Sequence, residues 1–218
     1  MVENSAPVTP NLTKPLFARY ATPFDVFGFW FTDAKKSELN DPNAMNLSTI
    51  SENGLPKSRI VLMKDYDESG FVFYTNLHSN KGKELLRHPY AALGFHWKSL
   101  RRQVRVEGKV TQVSDAEADE YFHTRPYLSQ IGAWASDQSA PLAKRDTLLA
   151  RVGEFQHRYP EGKTPVPRPA HWNGFRLEPN YFEFWHDRPY RLHERLVFSL
   201  NSHGASGEGV WKMGMLYP

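Results

Sequence analysis

Apolar positions along this chain recur with two different periods, and the change from one to the other separates predicted helices from predicted strands. Thr22-Pro23-Phe24-Asp25 has the chemistry of a helix start: a capping hydroxyl, proline at the first helical position and an acid in the first turn. Phe24, Phe27, Phe31 and Ala34 follow at helical spacing, predicting an apolar stripe against a core. From Ala44 the period shortens. Strands are predicted at Met45–Ser51 and Lys57–Lys64, flanking Ser51-Glu52-Asn53-Gly54, where Asn-Gly is a strong hairpin signal. Asp65 to Gly70 reads as a turn and Phe71 to Thr75 as a strand. Ser79 is placed to cap a short helix running to His88 and ended by Pro89. Strands Tyr90–Trp97 and Arg101–Val113 come next, the second alternating around Val104 and Val106.

Ser114-Asp115-Ala116-Glu117 resembles a capping box opening a helix through His123, and a longer helix is predicted from Pro141 to Tyr159. The proline-rich stretch Pro160 to Pro169 is a connection. Strands follow at Gly174–Leu177, Tyr181–Trp185 and Arg191–Leu200, then a Gly/Ser turn from Asn201 to Gly209 and a last strand, Val210–Leu216. Short turns between consecutive strands imply antiparallel pairing. The pattern predicts an α+β fold on an antiparallel sheet or barrel, with residues 1–15 as a flexible tail and 16–218 as one domain.

Composition narrows the chemistry. The chain has 218 residues and no cysteine, which removes disulfides, zinc–thiolate sites, iron–sulfur clusters and thiol nucleophiles together. Its nine histidines lack metal-ligand spacing, so no metal site is expected. The net charge of +3 and a pI near 9.0 suit anionic small ligands, and no Lys/Arg tract points to nucleic acid. A polar N-terminus without an apolar h-region, and apolar runs too short for a bilayer, lead to the expectation of a cytoplasmic enzyme with no membrane association. Dinucleotide, P-loop, zinc-protease and nucleophile-elbow signatures are all missing.

What remains are cations set into strand-like segments. Arg59-Ile60-Val61-Leu62-Met63-Lys64 carries one at each end, and a regular strand would point Arg59 and Lys64 to opposite faces. Two exposed cations on a half-buried strand would read the same way. Tyr121 and Arg125 stand four apart, on one face of a predicted helix, with Ser129 beyond: a guanidinium fork between two hydroxyls, as a phosphate clamp requires. The plain alternative is a helix end with a basic residue near its C-terminus. In the third cluster, strand alternation would put Arg191, His193 and Arg195 on one face and Leu192 and Leu196 on the other. Three such groups together call for an anion, in part answerable by Glu194 and nearby acids.

At these clusters the chain resembles the pyridoxine/pyridoxamine 5'-phosphate oxidase family. The segments R-I-V-L-M-K, F-V-F-Y-T-N, R-R-Q-V-R-V-E-G, Y-F-H-T-R-P, S-Q-I-G-A-W-A-S-x-Q-S and E-F-W…R-L-H-E-R occur in the family's order over about residues 20 to 218. The resemblance implies an FMN-binding split β-barrel with flanking helices, forming a homodimer with two active sites at the subunit interface. It implies oxidation of pyridoxine or pyridoxamine 5'-phosphate to pyridoxal 5'-phosphate, with O2 as acceptor and H2O2 as by-product. FMN would be met by Arg59, Ile60, Val61, Leu62, Met63, Lys64, Tyr74, Thr75, Asn80, Lys81, Gln103, Gln138, Ser139, Trp185 and Arg195. The substrate would meet Lys64, Tyr121, Arg125, Ser129, Arg191, Leu192 and His193, with Arg191 and His193 in the catalytic role over the pyridine ring. The chain departs from the family's usual residues at Asn80 and His186. Two alternatives stand beside this reading: a related split-barrel flavoprotein with another substrate, and a non-catalytic module binding FMN, pyridoxal phosphate or RNA.

Overall fold

A computed structural model describes residues 22–204 and 209–218, so the predicted tail at 1–15 and part of the predicted turn at 201–209 lie outside the described residues. The helix start reads as the sequence requires. Helix α1 (Pro23–Ser37) carries a full capping box: Asp25 N–H donates to Thr22 Oγ1 at 3.2 Å, and Thr22 N–H donates to Asp25 Oδ2 at 3.0 Å. Its buried face holds Phe24, Val26, Phe27, Trp30, Phe31 and Ala34, which covers the predicted stripe.

The order continues β1 (Ala44–Ile50), β2 (Pro56–Leu62), β3 (Asp65–Asp67), β4 (Gly70–Asn76), α2 (Asn80–Arg87), β5 (Tyr90–Trp97), β6 (Arg102–Gln112), α3 (Asp115–Thr124), α4 (Tyr127–Ala135) and α5 (Arg145–Arg158). It ends with β7 (Trp172–His186), β8 (Glu194–His203) and β9 (Gly209–Leu216). Hydrogen bonding runs in the strand order β2-β1-β5-β6-β7-β4-β3, with β8 on β7 and β9 on β8. The ladders β3/β4, β4/β7, β7/β8 and β8/β9 are antiparallel.

The chain forms two compact units. Among the described residues, one comprises 22–45, 93–107, 179–204 and 209–218. Its core is an aromatic cluster, with Phe27 at 5.1 Å from Phe95, Trp30 edge-on to Phe184 at 5.4 Å, and Phe24 at 5.2 Å from Phe182. Each such side chain contributes about 1.5 to 3 kcal/mol on burial. The other comprises residues 46–92 and 108–178 and contains α2 to α5. Here Val72, Val113 and Ala118 form one buried group, and Phe122, Ile131, Val166 and Trp172 another.

Five expectations need correction. Asp65 to Gly70 is not all turn, because Asp65–Asp67 pairs with Gly70–Val72. The strands predicted at Gly174–Leu177 and Tyr181–Trp185 are one strand of 15 residues. Pro179, the apparent breaker, falls between the ladder to β4, which ends at Leu177, and the ladder to β8, which begins at Tyr181. Helix α5 begins at Arg145, after Pro141, and helix α4 has no counterpart among the expectations. Helix α3 stops at Thr124, leaving Arg125 as its C-cap with ψ 147°, because the following Pro126 disfavours helical backbone there. Tyr121 and Arg125 therefore do not share a helix face. Finally, β8 begins at Glu194: Pro189-Tyr190-Arg191 forms a 3-10 turn with Tyr190 at φ 59° and Arg191 at φ 64°. Arg191, His193 and Arg195 consequently do not alternate along one strand face.

Candidate functional site

The second unit holds a cavity of about 640 Å³. That volume lies within the ordinary range for small-ligand sites. Strand β2 and the segment after it supply Ile60, Val61, Leu62 and Lys64; β4 supplies Tyr74, Thr75 and Asn76; α2 supplies Lys81. Tyr121 comes from the last turn of α3, Arg125 from its C-cap, Ser129 from α4 and Gln138 from the loop beyond. Three cations line this space, and among the described residues no carboxylate does.

Two polar constructions stand out. In the first, Lys81 Nζ donates to Gln138 Oε1 at 2.8 Å and to Thr75 Oγ1 at 3.3 Å, while Thr75 Oγ1 donates to Gln138 Oε1 at 3.1 Å. Burial, followed by the nearby Arg59 charge, lowers the Lys81 pKa. A partly desolvated ammonium among neutral partners gains strongly from an anion. In the second, the Arg125 guanidinium lies 4.7 Å over the Trp172 ring and 5.5 Å over Phe122, with Nη1 buried and without a hydrogen-bond partner. Burial lowers the Arg125 pKa. A buried, unpaired guanidinium nitrogen carries a desolvation cost of a few kcal/mol that an acceptor would relieve. This donor set suits a flat ligand bearing phosphate.

Tyr74 and Tyr121 stack at 4.1 Å, and Tyr74 lies nearly parallel to Trp172 at 5.1 Å. Burial raises the Tyr74 hydroxyl to about 12, with the Glu117 and Tyr121 charges adding to the effect, so it is a neutral donor at physiological pH. The stack depends on Gly174, where a Cβ would come within 2.7 Å of the Tyr74 ring.

The remaining expected residues are distributed elsewhere. Arg59 donates from Nη2 to Glu84 Oε2 at 2.9 Å and from Nη1 to Thr49 Oγ1, so its charge is answered within the protein. Met63 is buried. Asn80 and Ser139 line a second cavity of about 430 Å³, and Gln138 borders both spaces. Arg59 and Lys64 do not share a regular strand, since β2 ends at Leu62.

Gln103, Trp185, Arg191, Leu192, His193 and Arg195 belong to the first unit. The anion expected for the third cluster is partly supplied by the protein. Arg195 donates from Nε to Glu183 Oε1 at 2.7 Å and from Nη2 to Oε2 at 3.0 Å, and Arg188 pairs with Glu194 at 2.8 Å. The His193 ring lies 4.7 Å from Trp185, tilted by 43°; its Nδ1 is 3.1 Å from the Arg188 backbone nitrogen and 3.0 Å from Asp187 Oδ1. Arg191 and Leu192 are exposed. The sequence reading missed Asn76 and Trp172 in the cavity wall. Asn76 was visible as the polar end of F-V-F-Y-T-N, whereas a tryptophan gives no sign of whether it faces a core or a ligand.

Comparisons with known proteins identify relatives of the chain. Residues 31–159 match the family model described as pyridoxamine 5'-phosphate oxidase, and residues 172–218 match the pyridoxine 5'-phosphate oxidase C-terminal dimerisation region. The chain is 56% identical over 207 residues to a pyridoxine/pyridoxamine 5'-phosphate oxidase from Azorhizobium caulinodans, covering 95% of each chain. It is 52% identical to the protein of that name from Brucella abortus, covering 97% of this chain and 99% of the relative. Among solved structures it is similar to PhzG from Burkholderia lata, in complex with tetrahydrophenazine-1-carboxylic acid, at TM-score 0.85 and 27% identity, covering 95% and 98% of the two chains. An FMN-binding protein from Nostoc punctiforme, at 15% identity and TM-score 0.70 with 91% and 100% covered, shares the fold alone. That fold is the antiparallel split barrel with flanking helices.

Proposed function

The chain belongs to the pyridoxine/pyridoxamine 5'-phosphate oxidase family, and from that membership and its cavity we propose that it oxidises pyridoxine or pyridoxamine 5'-phosphate to pyridoxal 5'-phosphate with FMN as cofactor. The observation that carries this reading is a cavity lined, among the described residues, by three cations and no carboxylate, in which Arg125 Nη1 is buried without an acceptor. When bound, FMN supplies the two-electron acceptor for the substrate's C4' carbon and passes the electrons to O2, giving H2O2.

The protein's part is binding and orientation. Arg125 receives the substrate phosphate, with Lys64, Tyr121 and Ser129 completing the clamp. The Lys81–Gln138–Thr75 group holds the cofactor side, together with the backbone of residues 59–64, Tyr74, Asn80 and Ser139. Gln103, Trp185 and Arg195 complete the FMN set, while Arg191, Leu192 and His193 cover the pyridine ring, in sites shared by two copies of the chain. His193 Nδ1 lies 3.1 Å from the Arg188 backbone nitrogen and 3.0 Å from Asp187 Oδ1, contacts that orient the ring. So oriented, His193 hydrogen-bonds the substrate's C4' substituent, and Arg191 adds a fixed positive charge.

The test is anaerobic mixing of the FMN-loaded protein with pyridoxamine 5'-phosphate. The visible flavin band should bleach, and admitting air should restore it with formation of peroxide. A flavin band that stays intact would remove the enzymatic reading. Arg125→Ala should raise KM with FMN occupancy kept, since losing a desolvated charged contact costs about 2 to 5 kcal/mol, roughly 30- to 4,000-fold. Lost occupancy with unchanged KM would reassign Arg125 to the cofactor.

A further inference from the structure

Among the described residues no carboxylate pairs with Arg125. Its guanidinium lies over two ring faces, Trp172 at 4.7 Å and Phe122 at 5.5 Å. An arginine side chain with several free torsions would spread over many rotamers in an open cavity, and fixing it costs up to about 2 kcal/mol of entropy. The wider Trp172 ring is the nearer shelf, and it is itself held from below. Tyr74 lies parallel to it at 5.1 Å, Phe122 meets it edge-on at 5.1 Å, and Arg168 Nη1 donates to the Trp172 carbonyl at 2.8 Å. Arg168 is in turn gripped by Asp119 and Asp115 at 2.6 and 2.8 Å.

We propose that Trp172 is a positioning residue for the phosphate clamp: its ring face holds the Arg125 guanidinium at the cavity wall, with the buried Nη1 committed to no protein acceptor, for a phosphate to engage. A ring face does this better than a carboxylate would. It attracts the cation through its quadrupole while leaving the in-plane N–H donors unengaged, so an incoming phosphate has no internal anion to displace. Arg59, by contrast, already donates to Glu84. The inference rests on the reading of Arg125 as the substrate-phosphate ligand.

The experiment measures binding of pyridoxal 5'-phosphate and of unphosphorylated pyridoxal to FMN-loaded wild type, Arg125→Ala, Trp172→Phe and Trp172→Leu. Trp172→Leu should weaken the phosphorylated ligand about tenfold to thirtyfold, the range expected of a desolvated cation–π contact. It should leave pyridoxal binding nearly unchanged, and Trp172→Phe should recover most of the loss. Because Trp172 also packs against Phe122, the leucine variant could fail to accumulate. A second measurement therefore replaces the tryptophans of the intact protein with 5-fluorotryptophan, which withdraws electron density from the ring face at almost constant shape. Phosphorylated-ligand binding should fall severalfold in wild type and not in the Trp172→Phe background. Equal weakening of both ligands in Trp172→Leu, or no response to fluorination, overturns the positioning role. If Arg125→Ala itself leaves phosphate binding unchanged, the underlying assignment of Arg125 fails first.

Discussion

Single residues here matter through what they forbid. His186 is buried beside Trp30, and burial, reinforced by the Arg188 and Arg102 charges, lowers its pKa to about 4. In the unfolded chain the imidazole titrates near 6.5. Between those values the unfolded state holds more protons than the folded one, so stability rises with pH across the window and is lost as pH falls towards 4. The full effect is roughly 3 kcal/mol at 1.36 kcal/mol per pKa unit. Thermal melts from pH 7 down to pH 4 should show a falling Tm, and His186→Gln should flatten that slope; an equally steep variant would place the acid lability elsewhere. Gly174 forbids in a different sense. A Cβ there would meet the Tyr74 ring at 2.7 Å and Val113 Cγ2 at 2.8 Å, so Gly174→Ala must displace Tyr74 from its stack. Near-ultraviolet circular dichroism should change, and binding of the phosphorylated ligand should weaken severalfold with the far-ultraviolet signal kept.

At the level of elements, the short helix α2 ties fold to site. Ser79 is fully buried, caps the helix by accepting the Gly82 N–H at 3.2 Å, and accepts from Lys81 Nζ at 3.5 Å. Ser79→Ala should cost about 1 kcal/mol as a lost cap. It should also loosen Lys81, so FMN affinity should fall more than Tm does; an unchanged FMN Kd would separate the cap from the cofactor side. This cap was legible in the sequence, as were the α1 start at Thr22-Pro23 and the bounds of β5, because each rests on local chemistry within a few residues. Helix α4 was not legible: Y-L-S-Q-I-G-A-W-A is short, contains Gly132 and buries only Ile131 and Ala135. The break before β8 was missed because Arg-Leu-His-Glu-Arg alternates like a strand while Pro189 and the positive φ angles upstream decide otherwise. For the site, cations in strands signalled a ligand, and Lys64, Lys81, Tyr121, Arg125 and Ser129 do converge on one cavity. Trp172 left no such mark, since its role comes from a guanidinium that lies 47 residues away in sequence and meets it only in the fold.

For the whole molecule, the C-terminal strands pose a question of what covers them. Among the described residues strand β9 pairs only with β8, and it exposes Met213 and Met215, two residues apart and therefore on one face. An exposed apolar strand at a sheet edge invites association unless something occupies it. This stretch lies inside residues 172–218, which match a dimerisation region, and Arg195, which we propose as an FMN ligand, pairs in register with Leu216 of β9. The expected assembly is a homodimer in which β9 is covered by the partner and flavin binding depends on that cover. Sedimentation should give twice the 25.2 kDa chain mass. Met213→Asp combined with Met215→Asp should shift the protein to monomer and release FMN, with the far-ultraviolet spectrum little changed because both side chains are exposed in the single chain. A wild-type monomer that binds FMN and turns over would refute the shared site. A double variant that remains dimeric and yellow would move the interface away from β9 while leaving the cavity assignment in place.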